Sequence, residues 1–286
     1  MKTRWEKNKK KQKEIKKEEH QKKIKKFVKV TSIIFITLST IILYGIFIGA
    51  KVVKINEYKI TNNTLPSSFH GVKVVHFSDI LYPSLNEKDL ENLQIKINNL
   101  KADILVFTGE IKKDNIILSK EDLTILENFF KNLEASIKKI AIYGEHDQES
   151  FKVIMEDSNF EILDNESKIL YNKDKESIQI IGFNTNQLNH ESLNKDNSYS
   201  ICLLHNPDKI KDILNSTNCN MALAGDNLGG EIKIPFYKGI FTNHTYSLDY
   251  YEINETKLYI SNGLGNTINM RLFNHPSINL YRLTKY

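Results

Sequence analysis

From Thr31 to Ala50 the chain runs twenty residues without a charge, and no other feature limits its options so sharply. At 1.5 Å per residue a helix of that length is about 30 Å long, the hydrocarbon thickness of a bilayer. Gly49-Ala50 offers the small residues of a signal-peptide cleavage site. The apolar stretch, however, is about twice the length of a signal-peptide core, and no small-x-small site stands out. An uncleaved transmembrane signal anchor over residues 27–50 is therefore expected.

The charges beside the span set its direction. Residues 1–26 hold 13 Lys/Arg and 4 Glu, a net +9, whereas only Lys51 and Lys54 follow closely. The positive-inside rule leaves this Lys-rich tail in the cytoplasm and sends residues 51–286 to the outer side of the cell membrane. Membrane lipids are the expected partners, anionic headgroups meeting the tail as either a helix or a solvated arm. The whole chain carries +5, so the part beyond the tail is net −4. A nucleic-acid partner needs a basic face on the folded domain, and this balance argues against one. The two cysteines, Cys202 and Cys219, lack metal-type spacing and are expected as buried thiols rather than as a disulfide.

Beyond the span, short apolar runs alternate with helical spacing. Strands are expected at Val72–Phe77, Ile104–Phe107, Ile140–Tyr143, Ile178–Phe183, Ser200–Leu204 and Met221–Ala224. Helices are expected at Asn86–Leu100 and Glu121–Ile137, with a short one after Pro207. From Ile232 on the chain reads as β-rich, with strands at Tyr246–Ile253, Lys257–Ser261 and Ile278–Leu283. No linker or repeat interrupts residues 51–286, so one domain is expected.

Five of these strands end on residues that carry chemistry: Ser78-Asp79, Gly109-Glu110, Gly144-Glu145-His146-Asp147, His205-Asn206 and Gly225-Asp226-Asn227. A single Gly-Asp after a strand is most often a turn. Five in order point to a site, because ligands of open α/β sheets collect outside the carboxyl ends of strands.

In order, spacing and flanking strands these stretches resemble the calcineurin-like metallophosphoesterases, in the branch with an N-terminal membrane segment. The resemblance covers residues 68–284 and extends to Gly263-Leu264-Gly265 and Arg271-Leu272-Phe273-Asn274-His275-Pro276. It implies an α/β fold, a two-sheet sandwich flanked by helices, preceded here by one transmembrane helix. It also implies phosphoester hydrolysis by a pair of divalent ions. One ion would be held by Asp79, Glu110 and positions 81 and 228, but Leu81 and Leu228 stand there and leucine cannot ligate. The other would be held by Glu110, Glu145, His205 and Asp226, with Glu145 in place of an Asn and Asp226 in place of a His. This oxygen-rich set suits Mn²⁺ or Mg²⁺ better than Zn²⁺, so one ion at most, or none, is expected. His146 falls where the family places a histidine acting on the leaving group, with Asp147 available to orient it.

Asp79 serves equally as a turn cap, and His205 as a loop residue bonded to backbone. His76 is expected as a core histidine and Gly229-Gly230 as a tight turn; His244 and His275 receive no role. Two functions follow. One is a membrane-anchored metallophosphoesterase with a single metal and weak or altered activity. The alternative is an inactive pseudo-phosphoesterase that binds phosphate-bearing envelope ligands or a partner protein.

Overall fold

The computed structural model describes residues 3–147, 149–173, 175–184, 187–189, 199–226, 228, 230–233 and 244–286. The chain divides into two compact units, Met1–Gly45 and Ile46–Tyr286.

The first unit is a helix, α1 (Arg4–Tyr44), which joins the Lys-rich tail to the apolar run without a break. Together with a wider turn over Gly45–Gly49 it forms the one helix among the described residues long and apolar enough to cross a membrane. Its threonines are compatible with lipid because their hydroxyls are satisfied internally: Thr37 donates to Ile33 O at 2.9 Å and Thr40 to Ile36 O at 2.9 Å.

The second unit is two six-stranded sheets. The first is ordered β1 (Lys54–Thr61), β12 (Ser277–Thr284), β2 (Lys73–Phe77), β3 (Ile104–Phe107), β4 (Lys138–Ala141), β5 (Glu161–Ile162). In it β2 to β5 are parallel and β12 is antiparallel to β2. The second is ordered β10 (Tyr250–Ile253), β11 (Thr256–Ile260), β9 (Met221–Ala224), β8 (Ser200–Leu204), β7 (Ser177–Phe183), β6 (Glu166–Tyr171). Here β7, β8, β9 and β11 are parallel.

Strand periodicity explains the layering. In β3, Ile104 and Val106 face the other sheet and meet Ile180, Ile201 and Leu223. Their neighbours Leu105 and Phe107 face α2 (Glu87–Asn99), α3 (Lys120–Lys131) and α4 (Glu149–Asp157). A third apolar layer lies outside the second sheet, where Cys202 and Leu204 pack on Ile210 and Ile213 of α5 (Ile210–Leu214). The result is the expected sandwich of two sheets flanked by helices. Asn86 and Ser119 begin α2 and α3 with reciprocal caps to Asp89 and Asp122.

Several boundaries differ from expectation. α3 stops at Lys131, six residues early, because the next stretch is captured by β3: Ser136 Oγ donates to Asp103 Oδ1 at 2.7 Å and Ile137 N to Asp103 O at 2.8 Å. β1, α4, β5 and β6 were not expected. The expected Gly229 turn, Asn227 and residues 234–243 of the β-rich stretch lie outside the described residues.

The cysteines are the clearest correction. Cys202 of β8 and Cys219, just ahead of β9, form a disulfide closing a separation of 17 residues. Adjacent parallel strands bring the two together, a contact that sequence spacing hides. Reduction of this bond should lower the stability of the second unit by about 3 kcal/mol, the value for a loop of this size. Urea denaturation with and without reductant measures this, and superimposable curves would show that the bond contributes nothing.

Candidate functional site

Because β2, β3 and β4 are parallel, as are β8 and β9, each sheet delivers its strand ends to one edge. Glycines let those ends approach. A Cβ on Gly109, whose φ is +88°, would collide with the Gly144 backbone, and one on Gly144 would strike Glu110. Five further positions are left-handed without being glycine: Asp79, Leu81, Glu110, Asp226 and Leu228, with φ between 46° and 69°. Each non-glycine residue held there costs about 1–2 kcal/mol, so this edge concentrates backbone strain where site residues stand.

Three of the proposed donors meet at a buried imidazole. His205 Nδ1 bonds Thr108 O at 2.7 Å, which turns Nε2 toward Glu110 Oε2 at 3.3 Å and Asp226 Oδ1 at 3.7 Å. Both contacts are at ion-pair distance, but Nε2 makes no hydrogen bond of good geometry; nor does the buried Asp226 Oδ2. Burial alone would discharge this ring. The contact with Glu110 and the negative charges of Asp79, Asp226 and Glu110 outweigh it and raise the His205 pKa to about 10. Glu110 shows the mirror effect: burial opposes its charge, yet His205 and the His146 amide hold it below its usual value.

Asp79 is different. It is buried, accepts from Ser78 Oγ and receives the Asp226 amide at 3.3 Å. Burial is the main cause that lifts its pKa to about 7, with His205 and Ser78 opposing and Asp226 and Glu110 adding. The Leu228 side chain and Asp79 Cβ both close in on Gly263, so hydrocarbon lies next to this carboxyl.

His146 is half-buried and donates its amide to Glu110 Oε2 at 3.2 Å, while its Nδ1 lies 2.8 Å from Oε1. The residue that orients this ring is therefore Glu110. Asp147, expected in that part, engages backbone instead. Its Oδ2 accepts from the Glu110 and Gly144 amides at 2.8 Å each, and its Oδ1 from Ile111 at 2.9 Å. Burial and the charge of Glu110 raise its pKa to about 6 against those three donors. Glu145 is exposed and lines an open cleft with His146, Asp147 and Lys112. Among the described residues, no three His, Cys, Asp or Glu side chains are arranged to chelate an ion.

One residue was missed. His244 reaches the edge because Asp208, three residues after His205, holds it: Nδ1 lies 3.2 Å from Asp208 Oδ2, and the Thr245 amide donates to Asp208 Oδ1 at 2.9 Å. His244 Nε2 then stands 3.5 Å from Asp226 Oδ2. No local sequence signal joins these residues, which are 36 apart. His76 sits as expected in the core, its Nε2 2.9 Å from Thr108 Oγ1 and its pKa lowered to about 3 by burial.

No family model matches the chain. It is similar to the uncharacterized metallophosphoesterase YkuE of Bacillus subtilis (strain 168), at 29% identity over 258 residues that cover 84% of this chain and 88% of the relative.

In metal-free protein the His205 ring should remain an imidazolium well above neutrality. Because its folded pKa is raised from 6.5 to about 10, its contribution to stability is complete below pH 6.5 and fades as pH rises through 10. An NMR titration of the imidazole nitrogens reads this directly. A ring already neutral at pH 7 would contradict the account of its neighbours.

Proposed function

We propose that this chain, which belongs to the metallophosphoesterase family, is a membrane-anchored member that holds at most one divalent ion and has weak or altered phosphoesterase activity. The observation that carries the reading is the approach of Glu110 and Asp226 to His205 Nε2, at 3.3 and 3.7 Å, three side chains that do not chelate as they stand but that a cation could draw together. A proton on His205 and a cation beside it compete for the same two carboxylates. An ion held there would polarise a phosphoryl oxygen. His146, whose ring Glu110 holds at 2.8 Å, would pass a proton to a leaving group.

The first family ion is a poorer fit. Leu81 and Leu228 offer no donor, and Leu228 packs beside Asp79. Both leucines keep left-handed backbone, as Asp79, Glu110 and Asp226 do. We read this as the frame of a two-ion site retained after its ligands changed. The second reading, a non-catalytic binding module, is favoured by the exposure of Glu145 and by Asp79, whose charge burial disfavours.

The anchor reading draws on the apolar helix and on the disulfide, since such bonds persist in oxidising compartments outside the cytosol. Protease added to right-side-out membrane vesicles should digest residues beyond 50 and spare the tail. Digestion that begins only after lysis would reverse the topology.

Elemental analysis of the metal-loaded chain should find one ion at most, and Mn²⁺ binding should strengthen about tenfold per pH unit below pH 10 as a proton is displaced. Wild-type hydrolysis of an aryl phosphodiester should lie near background. The combined Leu81→His, Glu110→Asp, Glu145→Asn, Asp226→His and Leu228→His variant should bind two ions and gain Mn²⁺-dependent activity. Partial repair should do little, because ligands of one metal act as a unit. Robust wild-type activity would refute the incomplete site, and a folded repaired variant with no second ion would refute the correspondence of these positions.

A further inference from the structure

A cleft of about 540 Å³ opens where the chain leaves the apolar run. Its three walls are the exit turn 46–53, one side of α2 and the loop 264–269. Phe47, Ala50, Val53, Leu93 and Leu264 supply apolar surface, and Lys51 and Lys96 stand at its margin with Asn86 and Asn92. In size and lining it falls within the range of small-ligand sites.

The cleft is built rather than incidental. Its loop wall is fastened by Arg271, wholly buried, which donates to Asn266 Oδ1 at 2.7 Å, Asn262 O at 2.7 Å and Gly265 O at 2.6 Å. Buried Glu231 takes the Thr267 amide at 2.7 Å. Asn266 ties loop to exit turn through Ala50 O at 3.5 Å, and its amide bonds Ser84 Oγ at 3.0 Å ahead of α2. Asp89, the acidic residue of the lining, is engaged by the cap of α2.

Two features say what enters. Ala50 is the last residue of the uncharged run and Lys51 the first charge after it, so a chain anchored by that run places this wall at the bilayer surface. Phe47 and Ile95 remain 65% and 58% exposed beside it, apolar groups that water does not favour. The charge at the margin is positive, whereas the strand-end edge gathers Asp79, Glu110, Glu145, Asp147 and Asp226. An anion therefore finds a better environment at Lys51 and Lys96 than at the family's metal edge without its metal.

We propose that this cleft binds a glycerophospholipid of the outer leaflet, with acyl carbons against Phe47, Leu93 and Leu264 and an anionic headgroup phosphate on Lys51 and Lys96. The inference rests on the anchor reading of residues 27–50, and it places the phosphate-bearing ligand of the binding-module reading outside the strand-end edge.

The full-length chain in phosphatidylcholine vesicles containing a phosphatidylglycerol with a photoreactive acyl chain provides the test, with adducts mapped by mass spectrometry. Adducts are expected on α2 and on residues 264–269 as well as on residues 31–45. The Lys51→Glu/Lys96→Glu variant should lose cleft adducts by about fivefold per lysine, with span adducts unchanged. Leu93→Trp, which fills the cleft, should lose them too. Span adducts with none in the cleft would overturn the proposal while leaving the anchor intact. Cleft adducts equal with a phosphatidylcholine probe, or indifferent to the lysine changes, would overturn the headgroup assignment. Absence of adducts on residues 31–45 would remove the anchor, and the proposal with it.

Discussion

One buried imidazole settles the charge at the edge on which both sheets end. Glu110 and Asp226 arrive from different sheets, and His205 Nε2 stands within ion-pair reach of each. Remove its positive charge and the carboxylates of Glu110 and Asp226 lose their shared partner beside buried Asp79. Unpaired buried charge of that kind is among the costliest features a fold can carry. A positive charge at this point, carried by a proton on the ring, offsets that cost.

The sandwich was legible because its central strands are buried on both faces and read as unbroken apolar runs, as Ile104–Phe107 and Met221–Ala224 do. Its margins were not. β1 is Lys-Ile-Asn-Glu-Tyr-Lys-Ile-Thr, an edge strand whose polar residues hide its pairing, and α4 has only nine residues in which to display a period. The site divided the same way. Strand-end residues announced themselves by position, and the structure brings Asp79, Glu110, His205 and Asp226 to one edge. His244 gave no such signal, because a tertiary contact with Asp208 alone brings it there. Asp147 was found but misread: its carboxylate holds the two strand ends by three amides, which composition cannot reveal.

The segment from Asn262 to Asn274 joins the two regions of interest. Leu264 and Gly265 give their amides to Asp79 O at 3.1 and 2.7 Å on one side, and Leu264 lines the cleft beside α2 on the other. Asn274 reaches Leu228 O at 2.6 Å and Arg271 reaches the same oxygen at 3.5 Å. Displacement of this segment by anything seated in the cleft would be felt at the backbone of Asp79 and Leu228. Desolvation by burial pulls the Arg271 pKa down to about 10, which still leaves it charged at neutral pH.

The first strand after the apolar run pairs in parallel with the last strand of the chain, Lys54 beside Ser277 through Thr61 beside Thr284. This sets a schedule for biogenesis. Residues 54–61 have no strand partner until residues 277–284 are made, so the earlier segment must wait for the later. Until then its hydrogen-bonding edge stays open and invites mispairing or a chaperone. A chain lacking β12 would lose more than the partner of β1: the central strand β2 would lose its antiparallel neighbour. Emergence of residues 277–284 is the event that closes the first sheet.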